Sequence, residues 1–356
     1  MLRKDLLSDL NTISPGLANK DLIPALTHIW FTGTHVMTFN EQIAISATCK
    51  TDFVGAVPGD ILIGLVSASK AKEVELKHEE NVLQVKMGGS KLKLNMLEME
   101  KFIFEMPAPD PKYLLFQPDK SRIFLDAIRS CLRSTSTDTS APERIGVTLI
   151  PKGKELKLFS TDNATLSHEV VMTAKEPKFF RVILSSIFCE QLIAIADKAE
   201  KVQVEVHDDF SLATFDDRIA LFGNLIQDAD KPFDFQRILD NRIPANYTKN
   251  VPIPSRMELA LERALVITKS KIEEVDSEFS IKDGVLTIYS KSKTYGDITD
   301  RIKLEGDHPD VRIKVHCKYL KKDFSFFKSM FVTKDCWIML RSVKDGTGST
   351  YLIAGS

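Results

Sequence analysis

The chain lacks any long apolar run. Its longest, Ile61 to Val66 (ILIGLV), falls far short of the roughly 20 residues a membrane-spanning helix needs. It also has little cysteine: five residues, an odd number with wide spacings and no CxxC pair. That argues against a disulfide framework and points to buried thiols in a reducing compartment. The seven histidines form neither HExxH nor a paired Cys/His spacing, so a zinc site has no support. GxSxG is missing, and with it the hydrolase nucleophile elbow. Charge of one sign is lacking too: 48 Lys and Arg against 49 Asp and Glu leave a net charge of -1. A globally basic nucleic-acid binder is excluded, but a basic face balanced by an acidic one is not.

What is there is ordinary for a globular chain of 356 residues: 43% hydrophobic and 27% charged, long enough for two or three domains with cores that need no staples. The first residues, MLRKDLLSDLNTISPG, interleave charges with leucines where a secretory signal has a continuous apolar core. They read as an amphipathic helix, and the expected location is cytoplasmic.

A long, weak repeat organises the rest. The turns Thr32-Gly33-Thr34, Lys152-Gly153-Lys154 and Lys282-Asp283-Gly284 each lie between short alternating runs, at a period of roughly 120 to 130 residues. Before each comes a helix-period stripe: Leu2, Leu6, Leu10; Phe124, Ile128, Leu132; Met257, Leu261, Leu265. After each comes a second helix, carrying Leu62 and Val66, then Phe188, Leu192 and Ile195 with Ser185 as N-cap, then Leu320, Phe324 and Phe327. A closing hairpin follows, turning at His78 to Asn81, His207 to Asp209 and Lys344 to Gly346. Proline and polarity mark extended linkers at Pro107 to Pro111 and Asp240 to Pro254. The predicted domains are 1-110, 111-241 and 242-356.

Motifs for catalysis fail one by one. Met87-Gly88-Gly89-Ser90-Lys91 lacks the phosphate-loop spacing and reads as a strand turn, and Gly346 to Thr350 as a C-terminal hairpin loop. The pairs Asp208-Asp209, Asp216-Asp217 and Asp162-Asn163 lie at hairpin turns, where Asp and Asn hydrogen-bond locally. The polar run Ser134 to Ser140 reads as a solvated loop.

Taken together, the units resemble the bacterial sliding clamp, the beta subunit of DNA polymerase III, in a divergent form such as a phage would encode. The resemblance spans the chain and rests on ordered local matches. Lys20 to Leu26 resembles the family's basic residue and Pro-x-Leu turn. Gly146-Val147 and Leu156 to Asp162 resemble its Gly-strand, hairpin and Ala-Thr-Asp-Gly run. Pro232 and Arg237-Ile238-Leu239 resemble its Pro and Arg-Val-Leu, Val315 to Leu320 its Asn-x-x-Tyr-Leu, and Tyr351-Leu352-Ile353 its Tyr-Val-Val. The implied class is α+β, a DNA clamp fold of three repeated domains, each with two helices and antiparallel sheets, closing into a ring by dimerisation.

The implied function is that of a non-enzymatic processivity factor, without cofactor or metal, which encircles double-stranded DNA regardless of sequence and tethers the replicative polymerase. The implied partners are that polymerase, a clamp loader and a second copy; no membrane is involved. Channel candidates are the basic residues on the repeated helices, with Lys20 by its family match: Arg3, Lys4, Lys20, Arg129, Arg133, Lys198, Lys201, Arg256, Arg263, Lys318, Lys321 and Lys322. Singly each is an ordinary solvated charge; recurrence on the same helices sets them apart. The implied partner-peptide pocket takes Thr161, Asp162, Thr165, Leu166, Pro232, Arg237, Ile238, His316, Tyr319, Leu352 and Ile353. Asn163-Ala164-Thr165 replaces the family's Gly-His-Arg and Ala354-Gly355-Ser356 its Met-Pro-Met-Arg tail, so a different partner motif, or weaker binding to host proteins, is expected. The implied ring seam pairs sheet edges, setting Leu92 and Leu94 against the region of Val266 and Ile267. Two other readings stand beside this one: a repeat-built interaction or structural protein that does not encircle DNA, and an enzyme using Asp162 or Asp208-Asp209 with a divalent metal.

Overall fold

The computed structural model describes residues 1–19, 23–98, 104–116, 121–138, 140–173, 175–227, 232–242, 251–268, 277–305, 310–321, 327–332, 337–344 and 347–354. Along the chain, the first repeat runs α1 (Arg3–Ile13), β1 (His28–Thr32), β2 (His35–Phe39), β3 (Ile43–Thr48), β4 (Val54–Pro58), α2 (Gly59–Ala68), β5 (Glu75–Glu79), β6 (Val82–Met87) and β7 (Ser90–Asn95). The second runs α3 (Ser121–Cys131), β8 (Gly146–Lys152), β9 (Glu155–Thr161), β10 (Thr165–Met172), β11 (Val182–Ser185), α4 (Ser186–Ala196), β12 (Val202–Val206), β13 (Phe210–Phe215) and β14 (Ile219–Ile226). A helix α5 (Phe235–Arg242) and a short strand β15 (Val251–Pro252) precede the third repeat. That repeat runs α6 (Met257–Thr268), β16 (Ser277–Lys282), β17 (Val285–Ser292), β18 (Gly296–Lys303), β19 (Val311–Val315), α7 (Cys317–Lys321), β20 (Ser329–Val332), β21 (Trp337–Lys344) and β22 (Thr347–Ala354).

The predicted helices form because their apolar stripes find cores. Leu6, Leu10, Phe124, Ile128, Met257, Leu261 and Leu265 are buried, as are Leu62, Val66, Phe188, Leu192 and Leu320. Ser185 caps α4, accepting a hydrogen bond from the Phe188 N–H at 3.2 Å. Four details differ from the sequence reading. Leu2 precedes α1 and is exposed. Asp240 to Arg242 belong to α5, not to an extended linker. Thr347 to Thr350 are strand, paired with Arg341 to Lys344. In α7 the expected Phe324 lies outside the described residues, and Phe327 is buried beyond the helix.

Two compact units emerge: Met1–Leu125 with Thr173–Ile226, and Asp126–Met172 with Gln227–Ser356. In the first, β3 pairs antiparallel with β14, with Ala44 opposite Phe222 and Ser46 opposite Ala220. In the second, β10 pairs antiparallel with β22, with Leu166 opposite Leu352 and Glu169 opposite Ser349. Each junction joins the third strand of one repeat to the last strand of another. Both strands β3 and β10 leave their hairpins alike: Phe39 faces Ala44 and Thr161 faces Leu166.

The acidic pairs are turn chemistry. Asp216 and Asp217 both have positive φ, 50° and 54°, and the Arg218 N–H closes the turn on the Phe215 carbonyl at 2.9 Å. This is a type I′ hairpin turn, which favours glycine at its second central position. The turn of the same kind between β16 and β17 has it, as Asp283-Gly284. The Asp216 carboxylate also accepts from the Glu200 and Lys201 N–H groups, at 3.0 and 2.7 Å. Asp217→Gly is therefore expected to raise stability by about 0.5–1 kcal/mol, read as a higher urea midpoint at unchanged slope.

Candidate functional site

The second junction gathers much of the predicted pocket. Across the sheet, Thr161, Leu166, Leu352 and Met339 form one row of paired positions. Leu166 and Leu352 pack with Phe159, Phe235, Leu239 and Met339, with Ile238 partly buried against them. Asp162 organises the adjoining turn: its Oδ1 accepts from the Ala164 N–H (3.1 Å), the Thr165 N–H (2.7 Å) and the Thr165 hydroxyl (2.8 Å). The Thr161 hydroxyl donates to the Thr165 carbonyl at 2.7 Å. Asp162 is thus spent on the backbone. Among the described residues no group of three His, Cys, Asp or Glu side chains is placed to hold a metal.

Other pocket candidates part company. Strand alternation turns Ile353 to the opposite face from Leu352, where it packs in the third repeat's core with Tyr319 against it. Thr165, opposite Ile353, places its hydroxyl 3.0 Å from the Ser134 hydroxyl, from which it accepts, instead of lining the row. His316 lies edge-on to Tyr319 with ring centroids 6.0 Å apart. Pro232 and Arg237 are exposed, and Asp234 Oδ1 accepts from the Arg237 N–H at the start of α5.

Sequence reasoning missed Met339, Phe159 and Phe235. Phe159 stacks on Phe235 at 5.0 Å and on His168 at 4.6 Å. Burial pushes the His168 pKa down to about 4, so the ring is neutral there. The cross-strand register was the signal needed, and it becomes visible only once β22 is known to pair with β10.

The channel candidates divide by what their charges already hold. Arg3 gives Nε to the Ala71 carbonyl (2.9 Å) and Nη1 to the Val66 carbonyl (3.2 Å), closing off the C-terminus of α2. Arg122, not anticipated, does the same for α4 through Ala196 and Ala199. Arg263 makes a two-point ion pair with Asp300, and Arg129 pairs with Asp126 at 2.7 Å. Arg3 is thus engaged by backbone carbonyls and Arg263 by a carboxylate. Arg133 lies 5.6 Å from the Phe327 ring. Lys4, Lys198, Lys201 and Arg256 are exposed. Lys318 and Lys321 are in α7, while Lys20 and Lys322 lie outside the described residues.

Two strand edges complete the geometry. In the order β5-β6-β7 the last strand is an edge, and so is β18 in the order β18-β17-β16-β19. They are the last strand of the first repeat's closing hairpin and the third strand of the third repeat, the same two kinds that form both junctions. Leu92 on β7 is half-buried and Leu94 buried. Val266 and Ile267 lie on α6, so they cannot themselves extend a sheet. The free edge beside that helix is β18, tied to it by Arg263 and Asp300. Val266, 68% exposed, and Tyr295 stand uncovered nearby in sequence.

No family model matches the chain. A curated relative, the beta sliding clamp of Halalkalibacterium halodurans, is 21% identical over 335 residues, 88% of this chain and 86% of the relative. Among solved structures, the DNA polymerase III beta subunit of Thermotoga maritima superposes with a TM-score of 0.82 at 17% identity. The DNA polymerase sliding clamp of Bacillus subtilis gives 0.84 at 16%. Each comparison covers 100% of this chain and 98% of the other. The fold is therefore the DNA clamp fold. Within it, the chain is similar to the bacterial beta sliding clamps along its whole length, as a divergent relative.

Proposed function

We propose that this chain is a DNA polymerase processivity factor. Two copies close head to tail around double-stranded DNA, and the row at the second junction holds an apolar peptide of a replicative polymerase or clamp loader. The observation that carries the reading is the pair of unused edges. Strand β3 takes β14, β10 takes β22, and the remaining third strand, β18, is complementary to the remaining last strand, β7, of a second copy. A head-to-tail contact of this kind must close or grow into a filament, and with three repeats per chain two chains would close it. Antiparallel pairing would bring Leu92 toward Ile298 on one face, and Lys91 and Lys93 toward Asp297 on the other, with Val266 and Ile267 flanking the join.

The ring itself supplies the grip on DNA. Rebinding of a tethered polymerase becomes intramolecular, so contacts need only touch phosphates and carry no base information. Lys4, Lys198, Lys201, Arg133 and Arg256 are the cations proposed for this, with Lys318 and Lys321 on α7. The role needs no covalent chemistry, and its compartment would be the cytoplasm, where DNA and polymerase meet. A second reading, a scaffold with the clamp fold that does not encircle DNA, is favoured by the contacts that already engage Arg3 and Arg263.

Retention on DNA separates the two. Loaded protein is expected to stay on nicked circles in moderate salt and to leave within the dead time once the circle is linearised. Equal loss from circles and linear DNA in the presence of a competent loader would leave the scaffold reading.

A further inference from the structure

The four-stranded sheet of the third repeat has an outer face that neither the proposed channel nor the second-junction pocket uses. Its inner face packs on a core, where Phe279, Leu286, Ile288 and Ile302 are buried with Leu261 and Leu265 of α6. Strand alternation therefore turns the intervening residues outward, and the pairing register sets them in rows. Arg312, Ser280, Thr287 and Arg301 form one row across β19, β16, β17 and β18, and Lys314, Glu278, Tyr289 and Thr299 form the next. Lys282, Val285 and Lys303 make a third, and Lys291 faces Asp297 in a fourth.

Charge on this face is lopsided. Six exposed cations, Lys282, Lys291, Arg301, Lys303, Arg312 and Lys314, stand against two carboxylates, Glu278 and Asp297, in a chain whose net charge is -1. Arg312 already donates to Glu278 at 2.6 Å. Opposite charges across strands are the stabilising arrangement, yet two of the rows carry cations at both ends with only hydroxyl or apolar residues between. Asp283, Glu305 and Asp310 border the turn end beside Lys282 and Lys303. The positive excess that faces open solvent is therefore the stretch of Lys291, Arg301, Arg312 and Lys314 around Tyr289. Tyr289 lies half-buried near the middle of this face, and Tyr295, 58% exposed, stands in the turn that follows its strand. Val285 is the one aliphatic side chain in the four rows, so an acidic peptide would find no pocket for an anchor. The bases of a duplex are stacked on each other and cannot reach a tyrosine on a sheet. Unpaired bases can: on open sheet faces they stack on aromatic rings while cations follow the phosphates.

We propose that the outer sheet face of the third repeat binds single-stranded DNA, with a base stacked on Tyr289 and the backbone held by Lys291, Arg301 and Lys314. The face lies within one chain, so the inference goes beyond the processivity reading and does not depend on ring closure. The test is fluorescence anisotropy of a labelled oligothymidylate with the full chain at low salt, beside a duplex of equal length and with polyglutamate as competitor. Tyr289→Val is expected to weaken the single strand about ten-fold and to leave both the duplex and the salt dependence unchanged, while Tyr289→Phe keeps native affinity. Lys291→Gln, Arg301→Gln and Lys314→Gln together should lower the slope of log affinity against log salt by about 2. These three side chains are exposed, so an unchanged urea midpoint is expected and keeps the triple variant informative should Tyr289→Val fail to fold. No binding of the strand to the native protein would overturn the proposal. So would affinity that survives the triple variant but falls in Lys4→Gln with Lys198→Gln, which would put the strand in the channel. Equal loss of strand and duplex in Tyr289→Val, or displacement of the strand by an equal charge of polyglutamate, would overturn it too. Loss of retention on circular DNA in the same preparation would sink the ring reading without touching this one.

Discussion

Leu92→Asp is expected to halve the mass of the protein in solution to the single chain's 40.0 kDa. The substitution keeps β7 extended but removes an apolar contact and sets a carboxylate toward the face of β18 that carries Ile298 and Asp300. A lost leucine contact is worth about 1.5–3 kcal/mol, and like-charge juxtaposition across an interface adds to it. Together these predict at least a hundred-fold weaker association. Leu92 is half-buried within its own repeat whereas Leu94 is 9% exposed and part of a core, so Leu92 is the better target. Light scattering across a concentration series reads the result, with Ile61→Asp as an exposed apolar-to-acid control on α2. A Leu92→Asp protein that stays paired while remaining folded would place the seam elsewhere. If the variant falls to one chain and also loses retention on circular DNA, dimer closure and topological binding are the same event.

The second large effect is expected from Glu169. Its side chain is 4% exposed on β10, and Oε2 accepts from the Ser349 hydroxyl of the paired strand at 2.5 Å. Oε1 is buried, without a hydrogen-bond partner among the described residues. Burial pushes the Glu169 pKa up to about 7, against which hydrogen bonding and the Arg133 charge act only in part, while Asp126 adds to the rise. A carboxyl whose folded pKa exceeds its unfolded value holds its proton more tightly when folded. Its contribution is thus complete below about pH 4.5 and is lost as pH rises through 7. The range corresponds to roughly 3 kcal/mol at most. Glu169→Gln removes this dependence and is expected to be the more stable protein at pH 8. The gain falls somewhat short of that ceiling because the new amide N–H lacks an acceptor, and it vanishes near pH 4.5.

His168, the next residue, has the opposite sign. Its folded pKa of about 4 means that stability rises with pH from 4 to about 6.5. The two neighbours therefore offset each other between about pH 4.5 and 6.5. Native protein should have a flat profile there, and Glu169→Gln should uncover a rising one. Urea unfolding at half-unit pH intervals reads both slopes. A Gln variant no more stable than the native protein at pH 8 would mean that Glu169 stays charged at little cost.

The architecture was legible because it depends on periodicity. Stripes at i, i+4 and i+8 in three places, alternating strands around Gly33, Gly153 and Asp283-Gly284, and Ser185 before an apolar run each impose local structure through short-range sterics and burial. The pocket was legible only in part. Thr161, Leu166, Leu352 and Ile238 were anticipated and do meet, but Ile353 and Thr165 face away because alternate residues of a strand serve different faces. Neighbours in sequence look interchangeable until the pairing register is known. Helix α5 went unseen because Phe235 to Arg242 is short and polar, and its helicity depends on packing Phe235 and Leu239 beneath it.

By itself, then, the sequence determined the three-fold repeat, the helices with their buried stripes, the turn chemistry of the acidic pairs and the resemblance to a clamp. All of these rest on interactions within a few residues or on their regular recurrence. Tertiary structure alone decided which cations are engaged by carbonyls or carboxylates, that Glu169 and Ser349 meet across a junction, and that β7 and β18 lie at sheet edges. Those outcomes depend on the pairing of strands more than a hundred residues apart, and no local preference of the chain encodes which distant partner completes a buried charge or an open edge.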